Sequence, residues 1–227
     1  MNARPHGEAH EHYDGLVSRY LNRPLSRPTA RALKGTPLTP NMLTGFTLLL
    51  ACAAGAMVAA GWFIAGGILI QVVSVVDGVD GELARLKNMA TKFGAVFDAV
   101  TDRYADAVML AGMTVYAVRF EDQSHAETVG LLALAGALVV SYSRARIEAS
   151  LPEALEGEGR AVGGAMTAAD AVLGLGSRDV RSLIAAVGTV MGQCYWTLVV
   201  LAVLTGVTIA WRLLYLRMRG IGTSPVA

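Results

Sequence analysis

Runs of Leu, Val, Ile and Ala recur along this 227-residue chain at 43–60, 62–76, 107–118, 128–142, 183–196 and 197–214. With its flanks each run approaches the roughly 20 residues that cross a bilayer as helix, and the pattern predicts six spans. The second and third runs are short by themselves. Their helices must therefore draw in part of the polar stretch that separates them, which places that stretch at a membrane boundary. The expected fold is all-α: a polytopic membrane protein whose six transmembrane helices occupy 36–220, after an N-terminal region at 1–35 and before a short tail at 221–227.

Ahead of the first run, residues 13–34 alternate differently. Leu16, Val17, Tyr20, Leu21 and Leu25 oppose Arg19, Arg23, Arg27 and Arg31, an amphipathic pattern suited to the cytoplasmic surface of a membrane. Pro24 and Pro28 are expected to divide it into two short pieces. The stretch TPLTPN at 36–41 then breaks the chain, and Thr39 or Asn41 can cap the first spanning helix. Residues 148–177, rich in Gly, Ala and Glu, read as a cytoplasmic loop with no chemistry assigned.

Composition sharpens this picture. The chain is 54% hydrophobic with a mean hydropathy of +0.48, well above the balance of a soluble domain. Its first twelve residues, MNARPHGEAHEH, lack the order of a cleavable signal peptide. Cys52 and Cys194 fall inside expected spans and read as small apolar side chains.

The net charge of +1 conceals a strong asymmetry. Arg19, Arg23, Arg27, Arg31 and Lys34 precede the first span; Arg85, Lys87 and Lys92 follow the second; Arg144, Arg146, Arg160, Arg178 and Arg181 lie between the fourth and fifth; Arg212, Arg217 and Arg219 close the chain. Arg119 alone faces the other side, beside Glu121, Asp122 and Glu127. Since short cytoplasmic loops hold the excess of Lys and Arg, both termini are expected in the cytoplasm, as an even number of spans requires. The membrane is expected to be the cell's inner membrane, and no nucleic acid is expected as a partner.

The polar stretch between spans two and three holds the candidate chemistry. Asp77 and Asp80 stand three residues apart, Asp98 and Asp102 four apart, so each pair projects from one helix face. Two helices can thus turn four carboxylates toward one point. Such clustering near hydrocarbon is strongly unfavourable without a counter-charge, and a divalent cation supplies one. Oxygen-only ligands suit Mg²⁺ or Mn²⁺ better than zinc. His6, His10, His12 and His125 lie outside the spans and make no rival site. Glu82 reads as a surface carboxylate, Asp106 as a polar contact within the helix, and Arg103 and Tyr104 as packing or interfacial residues. No Ser, Cys or His accompanies the aspartates as a nucleophile.

The run Asp77-x2-Asp80-Gly81-x2-Ala84-Arg85-x8-Gly94-x3-Asp98-x3-Asp102 matches each of the eight specified positions in the signature of the CDP-alcohol phosphatidyltransferases, over 26 residues. The chain resembles that family along its whole length, with an amphipathic segment, six spans, and the motif bridging the second and third. The resemblance implies displacement of CMP from a CDP-alcohol by the hydroxyl of a second alcohol, with two divalent ions, and a homodimer. It implies that Asp77, Asp80 and Asp98 are metal ligands, and that Asp102 is both a ligand of the second ion and the general base. Gly81, Ala84 and Arg85 would bind the CDP moiety.

A second cluster concerns the acceptor. SYSRARIEAS, ending span four, and GSRDVRSL, opening span five, bring Arg144, Arg146, Arg178 and Arg181 to the cytoplasmic side; bulk positive-inside placement also puts arginines there. Their planar donors suit a phosphate. These stretches resemble the inositol-phosphate-using branches of the family, with Arg144, Arg178 and Arg181 at positions that bind the acceptor's phosphate. Inositol 1-phosphate is the expected acceptor. CDP-inositol, the donor of di-myo-inositol phosphate phosphate synthases, and CDP-diacylglycerol, that of phosphatidylinositol phosphate synthases, both remain open; glycerol phosphate, serine or free inositol are the alternative acceptors. A carboxylate-lined cation transporter is the rival of a different class, but its carboxylates should lie near midplane on several spans.

Overall fold

A computed structural model of the protein describes residues 17–150 and 176–218, and every regular element among them is helical. His6, His10 and His12, most of the 148–177 loop and the 221–227 tail lie outside the described residues.

A π-helical turn, Ser18–Asn22, runs directly into α1, Arg23–Leu33. The prolines do not separate two pieces as expected. Pro24 occupies the first turn of α1, where its missing N–H costs nothing, and Pro28 lies inside that helix. The anticipated break is instead a change of helix type. The face turned to the bundle is Asn22, Ser26 and Ala30, all buried, while Tyr20, Leu21 and Leu25 point outward.

Six longer helices follow: α2 (Pro40–Ala59), α3 (Phe63–Leu86), α4 (Lys92–Phe120), α5 (Ala126–Ser150), α6 (Arg178–Val190) and α7 (Cys194–Met218). Of the two candidate caps for α2, Thr39 serves, its side chain accepting from Met42 N at 3.3 Å. Thr91 does the same for α4 through Gly94 N at 3.0 Å. Four helices are long and apolar enough to cross a membrane: α2, α3, α5 and α7. Leu49, Leu131 and Val203 lie more than half exposed on α2, α5 and α7; an apolar exterior over an apolar core belongs in lipid. The chain is an integral membrane protein.

α4 has 29 residues, about 44 Å at the helical rise, so it outruns a hydrocarbon core of roughly 30 Å. Its first half carries the charge and its second half, from Ala107, the apolar run.

One expected boundary moves. The fifth apolar run was placed at 183–196, but α6 ends at Val190 and α7 begins at Cys194. Gly192 turns the chain with a φ of +67°, which glycine adopts without a side-chain clash. Glu121, on the connection after α4, then caps α7, accepting from Cys194 N at 2.6 Å and Tyr195 N at 2.7 Å.

α2 packs against both α3 and α4. The α2–α4 crossing is close because Gly55 meets Gly112: a Cβ at Gly112 would stand 2.7 Å from Gly55 Cα, the approach that small residues permit between membrane helices. α6 covers the other side of α3, α5 lies on α4, and α7 packs on α5, α6 and α4. The core these contacts bury holds Ala54, Val58, Ile70, Met113 and Leu198. Lys87 Nζ fastens the α1–α2 connection, donating to the carbonyls of Thr36 and Leu38, each at 2.7 Å.

Candidate active site

The α3–α4 connection is five residues, 87–91, so Asp77 and Asp102 stand at similar depth on two antiparallel helices. Both turn into a cavity of about 530 Å³ whose walls come from α1, α3, α4, α5, α6 and α7. Asp77, Asp98 and Asp102 each offer a carboxylate oxygen within 4.8 Å of the others. Asp80 lines the same cavity but is not part of this triple; it is 5% exposed and its Oδ2 accepts from Thr44 Oγ1 at 2.6 Å.

The residues fit a divalent cation. All donors are oxygens, and Asp98 Oδ1 is buried with no hydrogen-bond partner among the described residues, a lone-pair site that a cation would satisfy.

The counter-charge around the triple is arginine. Arg178, at the start of α6, places Nη1 between Asp77 Oδ2 and Asp102 Oδ1, the latter at 3.1 Å. Arg103, expected to pack or lie at the interface, lines the cavity, and its Nη2 donates to Asp102 Oδ2 at 3.1 Å. Arg181 is buried, donating from Nη1 to the Gly176 carbonyl at 2.7 Å and from Nη2 to Asp106 Oδ2 at 3.2 Å. Arg144 lines the cavity from α5. Arg146 is exposed and is not among the lining residues.

A smaller cavity of about 210 Å³ opens beside the first, sharing Asp80, Gly81, Arg85 and Asp98 with it and adding Ala84 and Gly94. No side chain fills the space at Gly81, and Ala84 adds only a methyl. Arg85 keeps its side chain 61% exposed, with Nη2 at 3.3 Å from Glu82 Oε1. Glu82, expected at the surface, is 17% exposed and also faces Arg27 at 3.6 Å.

Several wall residues escaped sequence reasoning. Asn22 is buried and ties the π turn to the bundle, donating to Ser74 Oγ and Asp179 Oδ1 at 3.1 Å and accepting from Gln71 Nε2 at 3.2 Å. Arg212 of α7 donates to the Val140 carbonyl at 2.9 Å and to Ser143 Oγ at 2.6 Å. Asp106, which does not line this cavity, makes its polar contacts with Arg178 and Arg181 of α6; its place four residues after Asp102 was the available signal. Serines line the cavity as well: Ser74 Oγ is held by Asn22, and Ser177 Oγ has no hydrogen-bond partner among the described residues.

Fold and site together define a class: an integral membrane protein of helices whose arginine-rimmed carboxylate cavity suits a polyanion with bound cations. A family model for CDP-alcohol phosphatidyltransferase matches residues 37–176, and the chain belongs to that family. It is 40% identical over 79% of its length to the bifunctional IPC transferase and DIPP synthase of Rubrobacter xylanophilus, of which the match covers 37%. It is 31% identical to the archaetidylinositol phosphate synthase of Methanothermobacter thermautotrophicus, over 78% of this chain and 81% of that one. The chain spans about two fifths of the length of the bifunctional relatives it matches. The crystal structure of Mycobacterium tuberculosis phosphatidylinositol phosphate synthase in complex with manganese and citrate superposes with a TM-score of 0.65 at 25% identity, covering 85% of this chain and 88% of that one. The same enzyme with CDP-DAG bound gives 0.64 at 26% identity, over 85% and 93%.

Proposed function

We propose that this chain transfers a substituted phosphoryl group from a CDP-alcohol to a hydroxyl of inositol 1-phosphate and releases CMP. The observation that carries the reading is the convergence of Asp77, Asp98 and Asp102 in one cavity with Arg144, Arg178 and Arg181.

Asp77, Asp80, Asp98 and Asp102 would hold two ions, Mg²⁺ or Mn²⁺, with Asp80 turning from Thr44. Bound there, the ions would neutralise the donor's diphosphate and make CMP a better leaving group. Gly81 and Ala84 leave room for the nucleotide, and the exposed Arg85 guanidinium meets its phosphate. Arg144, Arg178 and Arg181 take the acceptor's phosphate, which holds the acceptor hydroxyl toward the carboxylates. Asp102 removes the proton from that hydroxyl as its oxygen attacks the phosphorus bearing the donor's alcohol. The new P–O bond forms as the bond to the bridging oxygen breaks, and that oxygen leaves with CMP. Among the described residues no Ser, Cys or His stands with Asp77, Asp98 and Asp102 as a nucleophile, which favours direct displacement over a covalent intermediate.

The domain at 36–220 forms six spans in the inner membrane, α4 joining the four most apolar helices together with the 13-residue α6, which needs its flanks to cross. Both termini and the cavity face the cytoplasm, and the π turn with α1 lies along that surface; the distribution of Lys and Arg supports this orientation. The family resemblance supports a homodimer. Of the two donors, inositol-linked and diacylglycerol-linked, the second is favoured by an apolar cavity of about 500 Å³ between α1, α3 and α6, walled by Leu25, Val72, Val76 and Leu183.

The test offers purified protein CDP-diacylglycerol or CDP-inositol, each with inositol or inositol 1-phosphate, and measures CMP. Release is expected with inositol 1-phosphate, lost on chelation and restored by Mg²⁺ or Mn²⁺. Release with free inositol alone, or none with any pair, would overturn the reading.

A further inference from the structure

We propose that Asp106 is a positioning residue for the acceptor site, its buried carboxylate holding Arg178 and Arg181 in the orientation in which they meet the acceptor's phosphate. The inference rests on the transferase reading above.

Asp98, Asp102 and Asp106 follow one another at four-residue intervals on α4, so they share a face. The first two turn toward Asp77. The third, nearer the apolar half of the helix and 7% exposed, takes no part in that group. Its Oδ1 lies 3.5 Å from Arg178 Nε, an ion pair without hydrogen-bond geometry, and its Oδ2 accepts from Arg181 Nη2 at 3.2 Å. One carboxylate thus stands between two guanidiniums that would otherwise repel each other in a poorly solvated place. Arg181 also ties the Gly176 carbonyl at the entry to α6, so Asp106 steadies the turn that delivers Arg178.

The contacts of Arg178 divide by what competes for them. Asp77 and Asp102 are claimed by cations in the working enzyme, whereas Asp106 lies outside the cation group and its charge stays with the arginines. It is the partner Arg178 keeps when the other two let go. A guanidinium is planar, with its N–H donors in a fixed fork, so a carboxylate attracting the Nε edge leaves the Nη donors turned into the cavity.

The experiment compares Asp106→Asn, Asp106→Glu, Arg181→Ala and the Asp106→Asn/Arg181→Ala pair. It measures kcat, KM for acceptor and for donor, and the melting temperature in one detergent. Asp106→Asn should raise the acceptor KM about tenfold or more, the scale of a lost charged hydrogen bond, with the donor KM within about twofold. Asp106→Glu, which keeps the charge but lengthens the side chain, should raise the acceptor KM by a smaller but measurable factor of about threefold, and Asp106→Asn should matter less once Arg181 is gone. Equal loss for both substrates, or full additivity in the pair, would overturn the proposal. If Asp106→Asn does not fold, Asp106→Glu decides: a raised acceptor KM with an unmoved donor KM supports the proposal, and two unmoved values overturn it. Wild-type inactivity with every inositol 1-phosphate pair would defeat the transferase reading instead.

Discussion

Asp98 and Asp102 occupy the same helix face yet stand in different surroundings. Asp102 is held from both sides, by Arg178 and Arg103, while Asp98 keeps a buried oxygen without a partner. The arginines orient Asp102 until ions and substrate arrive, after which it serves as both ligand and base, whereas the Asp98 oxygen has no partner to give up for a cation. Asp102→Asn should lower kcat by about 10²–10⁴-fold, the usual worth of a general base. Asp98→Asn should raise the metal concentration needed for half-maximal activity. Both variants should elute and melt as folded protein. Undiminished CMP release in Asp102→Asn, or an unchanged metal requirement in Asp98→Asn, would contradict these roles.

At the scale of elements, the cavity exists because α2 draws α3 and α4 to itself and leaves the far sides of their aspartate-bearing halves to α6 and the arginines. The Gly55–Gly112 contact sets how near α4 can come. Gly112→Ala would force a methyl against the Gly55 backbone and should cost about 1–3 kcal/mol as overpacking, read as a lower melting temperature in detergent. Gly45→Ala, also on α2 but with nothing within 4 Å of the added Cβ, is the contrast and should leave melting unchanged or higher. Equal effects would show that the crossing is not tightly set.

For the whole molecule, the number of spans and the side on which the cavity opens are one question. A cysteine at Ala90→Cys, between α3 and α4, should react with an impermeant maleimide only from the cytoplasmic side. One at Gln123→Cys, between α4 and α5, should react only from the opposite side, both over the background of native Cys52 and Cys194. Labelling of both from one side would remove α4 as a span and with it the count of six.

The aspartate cadence was legible because helical spacing is local: three- and four-residue intervals on two predicted helices fix which side chains share a face, wherever the helices go. Four apolar spans were legible for the same reason, since length and apolarity are properties of a segment. By itself the sequence determined helical class, membrane placement, family signature and the faces of the carboxylates. What it could not determine was which faces meet. Asp80 turns to Thr44 on α2, Arg178 inserts between Asp77 and Asp102, Asp106 reaches two arginines of α6, and Glu121 caps a helix 73 residues away. Each is a contact between residues whose separation along the chain carries no information about distance. Only packing brings them together, because a charged or polar group taken out of water must find its partner wherever the fold has placed one.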